Sequence, residues 1–453
     1  MKRFLIALLA VSMILCMVAC NNTPTEQPTD VPTDAPTDAP TEAPTEQPTE
    51  APTTDVTPED QPFTLNWDAL SDLMKPVLTY NDGSVRNETV MFLDYGDVKE
   101  LLYPIESITS VTSYDGSKVY VEGKDYSVVD GKLKILTGSS IPCITSAKYY
   151  NHSDATLKTM YNGKQVNTYW GEGTPMTNYQ VNVNYTHSEE WEGFEQKCES
   201  DIYADFLAKL ENGEDVTVFF YGDSITRGAN SSWEKNYSPY QYPYSVLFVQ
   251  ALADLYGYTV EYKSTGIDKT FGSIVAAPKN YVAGTRGTIT YVNSSVGGWT
   301  AQEALNNFDA HVKTFINQYG CDLFVCAFGI NDRTTGASTA ARDIKTLVEK
   351  TLALVPDTAV MVVSTMVSNP DCVNGFTSDQ NEQEAFLRTY MREFSQNGSA
   401  CAVARMTSVS EAVLEHKDFH DYSGNNINHP NDFFIRLYAQ TMFQTLIGYE
   451  NMP

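Results

Sequence analysis

Basic residues are scarce in this chain. Its 453 residues include 30 Lys and Arg against 57 Asp and Glu, which gives a formal net charge of −27. Nucleic-acid binding depends on Lys and Arg that neutralise phosphates, so this composition excludes a nucleic-acid-binding protein. The excess of negative charge instead favours solubility and neutral substrates.

Two further patterns are missing. None of the eight cysteines has the CxxC spacing, so a zinc ribbon or a thioredoxin-type site has no support. No stretch beyond the N-terminus reaches the roughly 18 consecutive apolar residues that a membrane-spanning helix requires. Disulfide pairing and oligomeric state stay open at this point.

The first 20 residues have the order of a secretory signal. Lys2 and Arg3 precede an apolar run over residues 4–18, and small residues end the run before Cys20. This ending resembles a bacterial lipobox, which implies lipidation of Cys20 and an anchor on the outer face of the cell membrane. The alternative is an ordinary signal peptide with a chance cysteine.

Residues 21–61 lack Lys, Arg and almost all large apolar side chains. A proline recurs at every fourth position from Pro24 to Pro52, among ten acidic residues. Such a segment cannot bury enough apolar surface to offset its conformational entropy. We expect a disordered linker that separates the anchor from the folded part, with an interaction tail as the alternative.

Residues 62–198 are rich in Tyr, Val and Thr, with turn signals at short intervals. The runs 118–121, 132–136 and 179–185 are separated by Asp-Gly and Asn-Gly pairs. This pattern predicts a smaller all-β, sandwich-like domain. Its aromatic residues fit either a sugar-binding surface or a core.

The pattern changes from residue 199 to the C-terminus. Continuous apolar runs at 216–221, 323–328, 359–364 and 402–406 alternate with segments of helical spacing. Apolar runs without alternation indicate strands covered on both faces, hence a parallel sheet between helices. Residues 199–453 therefore form an α/β domain in which ligands bind beyond the carboxyl ends of the strands.

Four motifs follow these elements in chain order. Ser224, in Gly-Asp-Ser-Ile-Thr, has an exposed hydroxyl at a strand-to-helix turn. Gly298 and Asn331 could donate to an oxyanion beside it. His429 precedes the last helix, where it is free to act as a general base. Each motif alone also fits an ordinary turn or helix cap.

Together the motifs resemble the SGNH (GDSL-type) hydrolases. The resemblance implies a flavodoxin-like three-layer α/β/α fold and ester hydrolysis without metal or cofactor. It assigns Ser224 as nucleophile and His429 as base, with an oxyanion hole from the Ser224 N–H, the Gly298 N–H and the Asn331 amide. Esterases in which a β-domain precedes this fold are similar to the whole arrangement.

One position departs from the family's pattern. The Asp usually found three residues before the His is replaced by Asn426. An Asn can fix the imidazole tautomer but brings no negative charge, and the corresponding change in a serine protease costs about 10⁴ in turnover. Either a Ser-His dyad suffices, or Asp421 or Asp432 supplies the carboxylate.

Two smaller features bear on ligands. Aromatic residues of the loop after Ser224 and beside Gly298 suit a rim that binds sugar rings, although packing explains them equally well; they are Trp233, Tyr240, Tyr242 and Trp299. His416 and His420 have the i, i+4 spacing of metal ligands. No third ligand is evident, so a solvated surface pair without metal is expected.

The sequence thus predicts a surface-anchored serine esterase that removes acetyl groups from polysaccharide. A lipase or lysophospholipase of the same fold is one alternative. A carbohydrate-binding surface protein without activity is another, because of Asn426.

Overall fold

The computed structural model describes residue 70 and residues 73–266, 278–373 and 379–451. The predicted signal segment with Cys20 and the predicted linker at 21–61 lie outside the described residues. Within the described ranges, every helix is too short or too polar to cross a membrane. The six cysteines of these ranges are all free thiols.

Residues 84–186 form small antiparallel sheets. Strands of this region are β1 (Ser84–Met91), β2 (Val98–Lys99), β3 (Ser107–Ser113), β4 (Val119–Tyr120), β5 (Tyr126–Val129), β6 (Lys132–Ile135), β7 (Lys158–Tyr161), β8 (Lys164–Asn167) and β9 (Gln180–Thr186). The sheets have the orders β1-β9-β3-β4, β2-β6-β5 and β7-β8. Two short helices, α1 (Ser146–Tyr149) and α2 (Thr174–Thr177), interrupt the strands.

The Asp-Gly and Asn-Gly pairs make two of the hairpin turns. Asp130 and Gly131 join β5 to β6 with φ of 52° and 72°, and Asn162 and Gly163 join β7 to β8 with φ of 49° and 72°. Two successive residues of positive φ match the right-handed twist of the flanking strands, and Gly, Asn and Asp tolerate them best. These turns lie where the sequence predicts them.

A mostly parallel sheet follows. It contains β10 (Val216–Gly222), β11 (Thr259–Lys263), β12 (Tyr281–Val282), β13 (Thr288–Asn293), β14 (Leu323–Ala327), β15 (Ala359–Val363) and β16 (Cys401–Ala404). Its order is β12-β11-β13-β10-β14-β15-β16, and only β12 is antiparallel to its neighbour. Without the edge pair of β11 and β12, the order is the 2-1-3-4-5 of flavodoxin-like sheets. The predicted parallel α/β architecture is confirmed.

Helices cover both faces of this sheet. They are α3 (Ala204–Asn212), α4 (Ser224–Arg227), α5 (Tyr244–Tyr256), α6 (Ala301–Asn306), α7 (Thr314–Tyr319), α8 (Ala337–Leu354), α9 (Gln380–Gln396), α10 (Met406–Leu414), α11 (Phe419–Tyr422) and α12 (Asp432–Leu446). A π-helical turn at Asp309–Lys313 separates α6 from α7. A 3-10 turn, Tyr449–Asn451, follows α12.

The strand pleat divides the core between the two faces. Successive residues of a strand point to opposite sides. In β10, Val218 and Phe220 pack with α5 and α12, whereas Phe219 and Tyr221 pack with α6, α8 and α9. The three-layer arrangement therefore follows from a strand whose seven residues are all buried.

Most of the buried residues of the N-terminal strands belong to a core that continues into this sheet, and a smaller cluster around Met91, Tyr149 and Met176 lies within the N-terminal region itself. Val85, Val111 and Val183 belong to the same buried cluster as residues of α5 and α12. The predicted separate all-β domain at 62–198 is not confirmed, because the region also holds two helices and shares its core with the α/β part. This sharing brings N-terminal residues to the edge of the sheet where the motifs lie.

Candidate active site

Ser224 lies at the carboxyl end of the central strand β10, at the first position of α4. Asp223 caps this helix, because its side chain accepts a hydrogen bond from Ile225 N at 2.9 Å. Gly222 packs so closely against β14 that a Cβ there would lie 2.6 Å from the carbonyl oxygen of Ala327. The tight turn therefore requires glycine, and it leaves the serine at the end of the strand.

The loop between α11 and α12 brings His429 to this serine. His429 Nε2 lies 2.9 Å from Ser224 Oγ. Asn425 shapes the loop, since its Oδ1 accepts the backbone N–H groups of residues 427, 428 and 429. Asn431 then caps α12 by accepting from Phe434 N. The structure thus brings together the predicted nucleophile and base.

The two other motifs adjoin Ser224. A Cβ built on Gly297 would lie 3.6 Å from Ser224 Cβ, so this glycine of the loop packs directly on the serine. Gly298 has a φ of 80°, a conformation that favours glycine. Asn331 Nδ2 donates to the Trp299 carbonyl at 3.0 Å, which ties the loops that hold the two predicted oxyanion donors. An amide nitrogen has two hydrogens, so one stays available for an oxyanion.

On its far side, the imidazole meets two residues that sequence reasoning missed. His429 Nδ1 lies 3.1 Å from Asn230 Oδ1 and 3.4 Å from the carboxylate of Glu172. Desolvation raises the pKa of Glu172, but hydrogen bonds and charges from His429, Asn425 and Lys235 outweigh it and lower the pKa to about 2, although 43% of the side chain is exposed. A carboxylate from the N-terminal region therefore stands beside the predicted base.

Comparison with known proteins agrees with this geometry. Residues 220–433 match the model of the GDSL-like lipase/acylhydrolase family. This part of the chain is similar to that family. None of the curated proteins compared with the chain matches it.

Several solved esterase structures are similar to the GDSL-like part at low identity. A two-domain esterase (CEX) active on acetylated mannans is 19% identical, with a TM-score of 0.37, over 55% of this chain and 53% of its own. Axe2, an acetylxylan esterase from Geobacillus stearothermophilus, is 14% identical, with a TM-score of 0.35, over 51% and 93%. The acetyl xylan esterase AlAXEase is 14% identical, with a TM-score of 0.33, over 51% and 98%. The chain thus spans about half the length of the two-domain esterase.

The three residues predicted to orient His429 bond elsewhere in the GDSL-like chain. Asn426 is buried, and its Nδ2 donates to Tyr149 Oη and to the Tyr169 carbonyl, both at 2.7 Å. Asp421 accepts from Met91 N at 2.8 Å. Asp432 accepts from Ser232 N at 2.9 Å. Each side chain is used to fasten the loop to other segments, and His429 Nδ1 faces Asn230 and Glu172 instead.

Buried contacts with the N-terminal strands hold the loop that contains His429. Gln180 Nε2 donates to the carbonyls of His420 and Ser423 at 2.7 and 2.9 Å. Lys417 and Glu88 form an ion pair at 2.6 Å in which neither side chain is exposed. The position of the predicted base therefore depends on residues more than 200 positions earlier in the chain.

His416 and His420 do not form a solvated pair. His420 is 7% exposed and lies in a cluster with Asp418 and Asp421, a combination of metal-binding side chains. Lys99 Nζ lies within hydrogen-bond distance of Asp418 and of His420 Nε2, and 3.4 Å from Asp421. Desolvation and the neighbouring ammonium lower the pKa of His420 to about 4. Lys99 supplies the positive charge that these carboxylates need.

The four residues of the predicted aromatic rim differ in how far they are exposed. Tyr242 is buried in the core, and Trp233 packs on it with ring centroids 5.2 Å apart. Trp299 packs partly against the α6 side of the sheet. Tyr240, 40% exposed, is the member whose ring is available to a ligand. Packing therefore explains Trp233 and Tyr242.

Proposed function

We propose that this protein is a serine esterase that removes acetyl groups from a neutral polysaccharide. The observation that supports the proposal is the 2.9 Å contact between Ser224 Oγ and His429 Nε2 at the carboxyl end of the central strand. A nucleophile and a base within hydrogen-bond reach are the minimal apparatus for acyl transfer. The GDSL-like lipase/acylhydrolase match over residues 220–433 agrees with this reaction.

In the acylation step, Ser224 Oγ attacks the ester carbonyl carbon while its proton passes to His429 Nε2. The carbonyl electron pair moves to the oxygen, which then accepts hydrogen bonds from the Ser224 N–H, the Gly298 N–H and Asn331 Nδ2. As the tetrahedral intermediate collapses, the bond to the sugar oxygen breaks. That oxygen takes the proton from His429 and leaves as the free hydroxyl.

The second step uses the same groups in reverse. Water attacks the acetyl-serine carbonyl and gives one proton to His429 Nε2. The bond from the acyl carbon to Ser224 Oγ then breaks, and the serine recovers its proton from the imidazole. Acetate is released, and the site returns to its starting state without a metal or redox partner in the balance.

The acidic charge favours a neutral polymer over a lipid surface. At a formal net charge of −27, the chain is repelled by anionic headgroups and by acidic glycans. The exposed ring of Tyr240 offers a flat apolar face of the kind that binds pyranose rings. These features favour acetylated polysaccharide over a long acyl chain.

The proposed place of action is the outer face of a bacterial cell membrane. The leader ends in Cys20, and the proline-rich linker at 21–61 can extend by roughly 3 Å per residue. A lipid on Cys20 would be the contact with the membrane, and the linker would let the esterase reach polymer beyond it. Palmitate labelling of the expressed chain, lost in Cys20→Ala, tests this anchor.

The activity is tested with the full chain on 4-nitrophenyl acetate, butyrate and octanoate, and by acetate release from acetylated xylan and mannan. We expect the rate to fall on the order of tenfold or more from acetate to octanoate. Ser224→Ala should lose on the order of 10⁴ or more in kcat. Ser295→Ala, a buried serine in the neighbouring loop, is the matched control and should keep its rate within about twofold.

Other outcomes point elsewhere. A rate that rises toward octanoate would favour a lipase of the same fold. Absence of hydrolysis on every ester, with the protein folded, would leave a carbohydrate-binding protein, and the proposal would be wrong.

A further inference from the structure

We infer that Glu172 and Asn230 together do the work of the missing catalytic Asp, with Asn230 fixing the tautomer of His429 and Glu172 supplying the negative charge. This inference rests on the proposed esterase function. Both are positioning residues, since they act on the substrate through His429. Glu172 comes from the N-terminal region, so that region would be part of the catalytic machinery.

Asn230 determines which nitrogen of His429 holds the proton. Asn230 Nδ2 donates to the Gly424 carbonyl at 2.8 Å, so the amide cannot turn without breaking this bond. Its Oδ1 therefore faces His429 Nδ1 at 3.1 Å as an acceptor. The proton then belongs on Nδ1, which leaves the Nε2 lone pair directed at Ser224 Oγ. Asn230 is fully buried, which fixes its orientation further.

Glu172 adds the charge that an amide lacks. Both carboxylate oxygens lie 3.4 Å from His429 Nδ1. Asn425 Nδ2 donates to Glu172 Oε1 at 2.9 Å, and Asn425 is the residue that shapes the His429 loop. The Gly171 N–H donates to the Asn425 carbonyl at 3.3 Å. Asn425 thus binds the Glu172 carboxylate and also fixes the backbone of the loop that holds the His429 imidazole.

The other charges near this pair are few. Lys235 Nζ lies 3.9 Å from Glu172 and 3.2 Å from Glu234. Glu234 also lies 3.5 Å from Arg227. Lys235 is therefore shared between two carboxylates and neutralises Glu172 only in part. The imidazolium that forms during acylation gains a net attraction from Glu172.

This division of roles sets the size of the expected effect. In a serine protease, Asp to Asn costs about 10⁴ in turnover, largely because the tautomer becomes wrong. Here Asn230 keeps the tautomer when the carboxylate is removed, so only the charge is lost. We expect Glu172→Gln to lower kcat about 10- to 100-fold, with KM within about twofold of the parent.

The test measures kcat and KM of the full chain on 4-nitrophenyl acetate between pH 5 and pH 9. Glu172→Asp, which keeps the charge, should recover part of the loss. Glu190→Gln, an exposed acid of the same region, is the matched control and should behave as the parent.

A purely structural role for Glu172 would predict a different pattern. Glu172→Gln with kcat within twofold of the parent would overturn the inference and leave a dyad oriented by Asn230. A loss shared equally by Glu172→Gln and Glu172→Asp would overturn it too.

A second measurement does not depend on turnover. The titration of the Glu172 carboxyl is followed by NMR in the parent and in His429→Ala. We expect the pKa of Glu172 to lie at about 2 in the parent and to rise in the variant, because the hydrogen bond and charge of His429 are lost. An unchanged pKa of Glu172 would overturn the inference. If the parent hydrolyses no ester, the proposed function fails, and this titration still decides whether Glu172 acts on His429.

Discussion

Restoring the Asp of the family's pattern at position 426 should not improve this enzyme. From the sequence, Asn426→Asp would return a missing carboxylate to the catalytic site. In the structure, the Asn426 side chain is fully buried and donates to Tyr149 Oη and to the Tyr169 carbonyl, both at 2.7 Å. An aspartate has no hydrogen to donate to either oxygen.

The cost of the change falls mainly on the Tyr169 carbonyl. This carbonyl would face a carboxylate oxygen at hydrogen-bond distance, and an unsatisfied buried polar group costs about 1–3 kcal/mol, more when it is charged. Lys99 donates to His420 Nε2, so His420 Nδ1 donates to Tyr149 Oη at 3.2 Å, and the Tyr149 hydroxyl can still turn its hydrogen toward the new acid. Asp tolerates the left-handed φ of 65° at this position, so the backbone adds little. We expect Asn426→Asp to lose about 3 kcal/mol in the free energy of unfolding.

Urea unfolding and 4-nitrophenyl acetate kinetics measure the two consequences separately. Asn428→Asp is the matched control, because Asn428 uses its Oδ1 as an acceptor from Asn425 Nδ2, a role that an aspartate oxygen can keep. The control should change the free energy of unfolding by less than about 0.5 kcal/mol. In Asn426→Asp, kcat should not rise. A tenfold rise in kcat with KM and stability unchanged would refute the reasoning and return Asn426 to the site.

Two further substitutions test the loop and the oxyanion site. Lys417→Met should lose about 3–5 kcal/mol in urea unfolding, because it leaves the fully buried Glu88 carboxylate without its ammonium. The double variant with Glu88→Gln should be more stable than Lys417→Met alone, and equal losses would argue against the pair. Asn331→Ala should lower kcat on 4-nitrophenyl acetate by about 10²- to 10³-fold with little change in KM. A loss that appeared in KM alone would remove Asn331 from the oxyanion site.

Much of the GDSL-like part is predictable from the sequence because its signals are local. The run at 216–221 and the Gly-Asp-Ser that follows define a buried strand and the turn after it within nine residues. The Asn-Gly and Asp-Gly turns of the N-terminal strands are local in the same way, since positive φ is a property of single residues. The cap of α12 is local too, because it depends on one hydrogen bond from the Phe434 N–H to the side chain of Asn431, three residues earlier.

The sequence-based predictions were wrong where a side chain fitted either of two local roles and tertiary packing decided between them. Asn426 has the spacing of a histidine partner, yet Tyr149 and Tyr169 take its amide. Trp233 and Tyr242 have the composition of a sugar-binding rim, yet they pack on each other. His420 has the spacing of a surface metal ligand, yet it is buried against Lys99, which is itself paired with neighbouring carboxylates. Each choice depends on a partner that is distant in the chain.

The sequence by itself determined the strand-helix alternation and the order of the motifs that hold the predicted nucleophile and base. Only the tertiary structure decided which carboxylate stands beside His429. Glu172 lies 257 positions before that histidine, between two glycines in a region without periodic signal. Local patterns report backbone conformation and burial, whereas a charge pair across the chain exists only once two segments share one core.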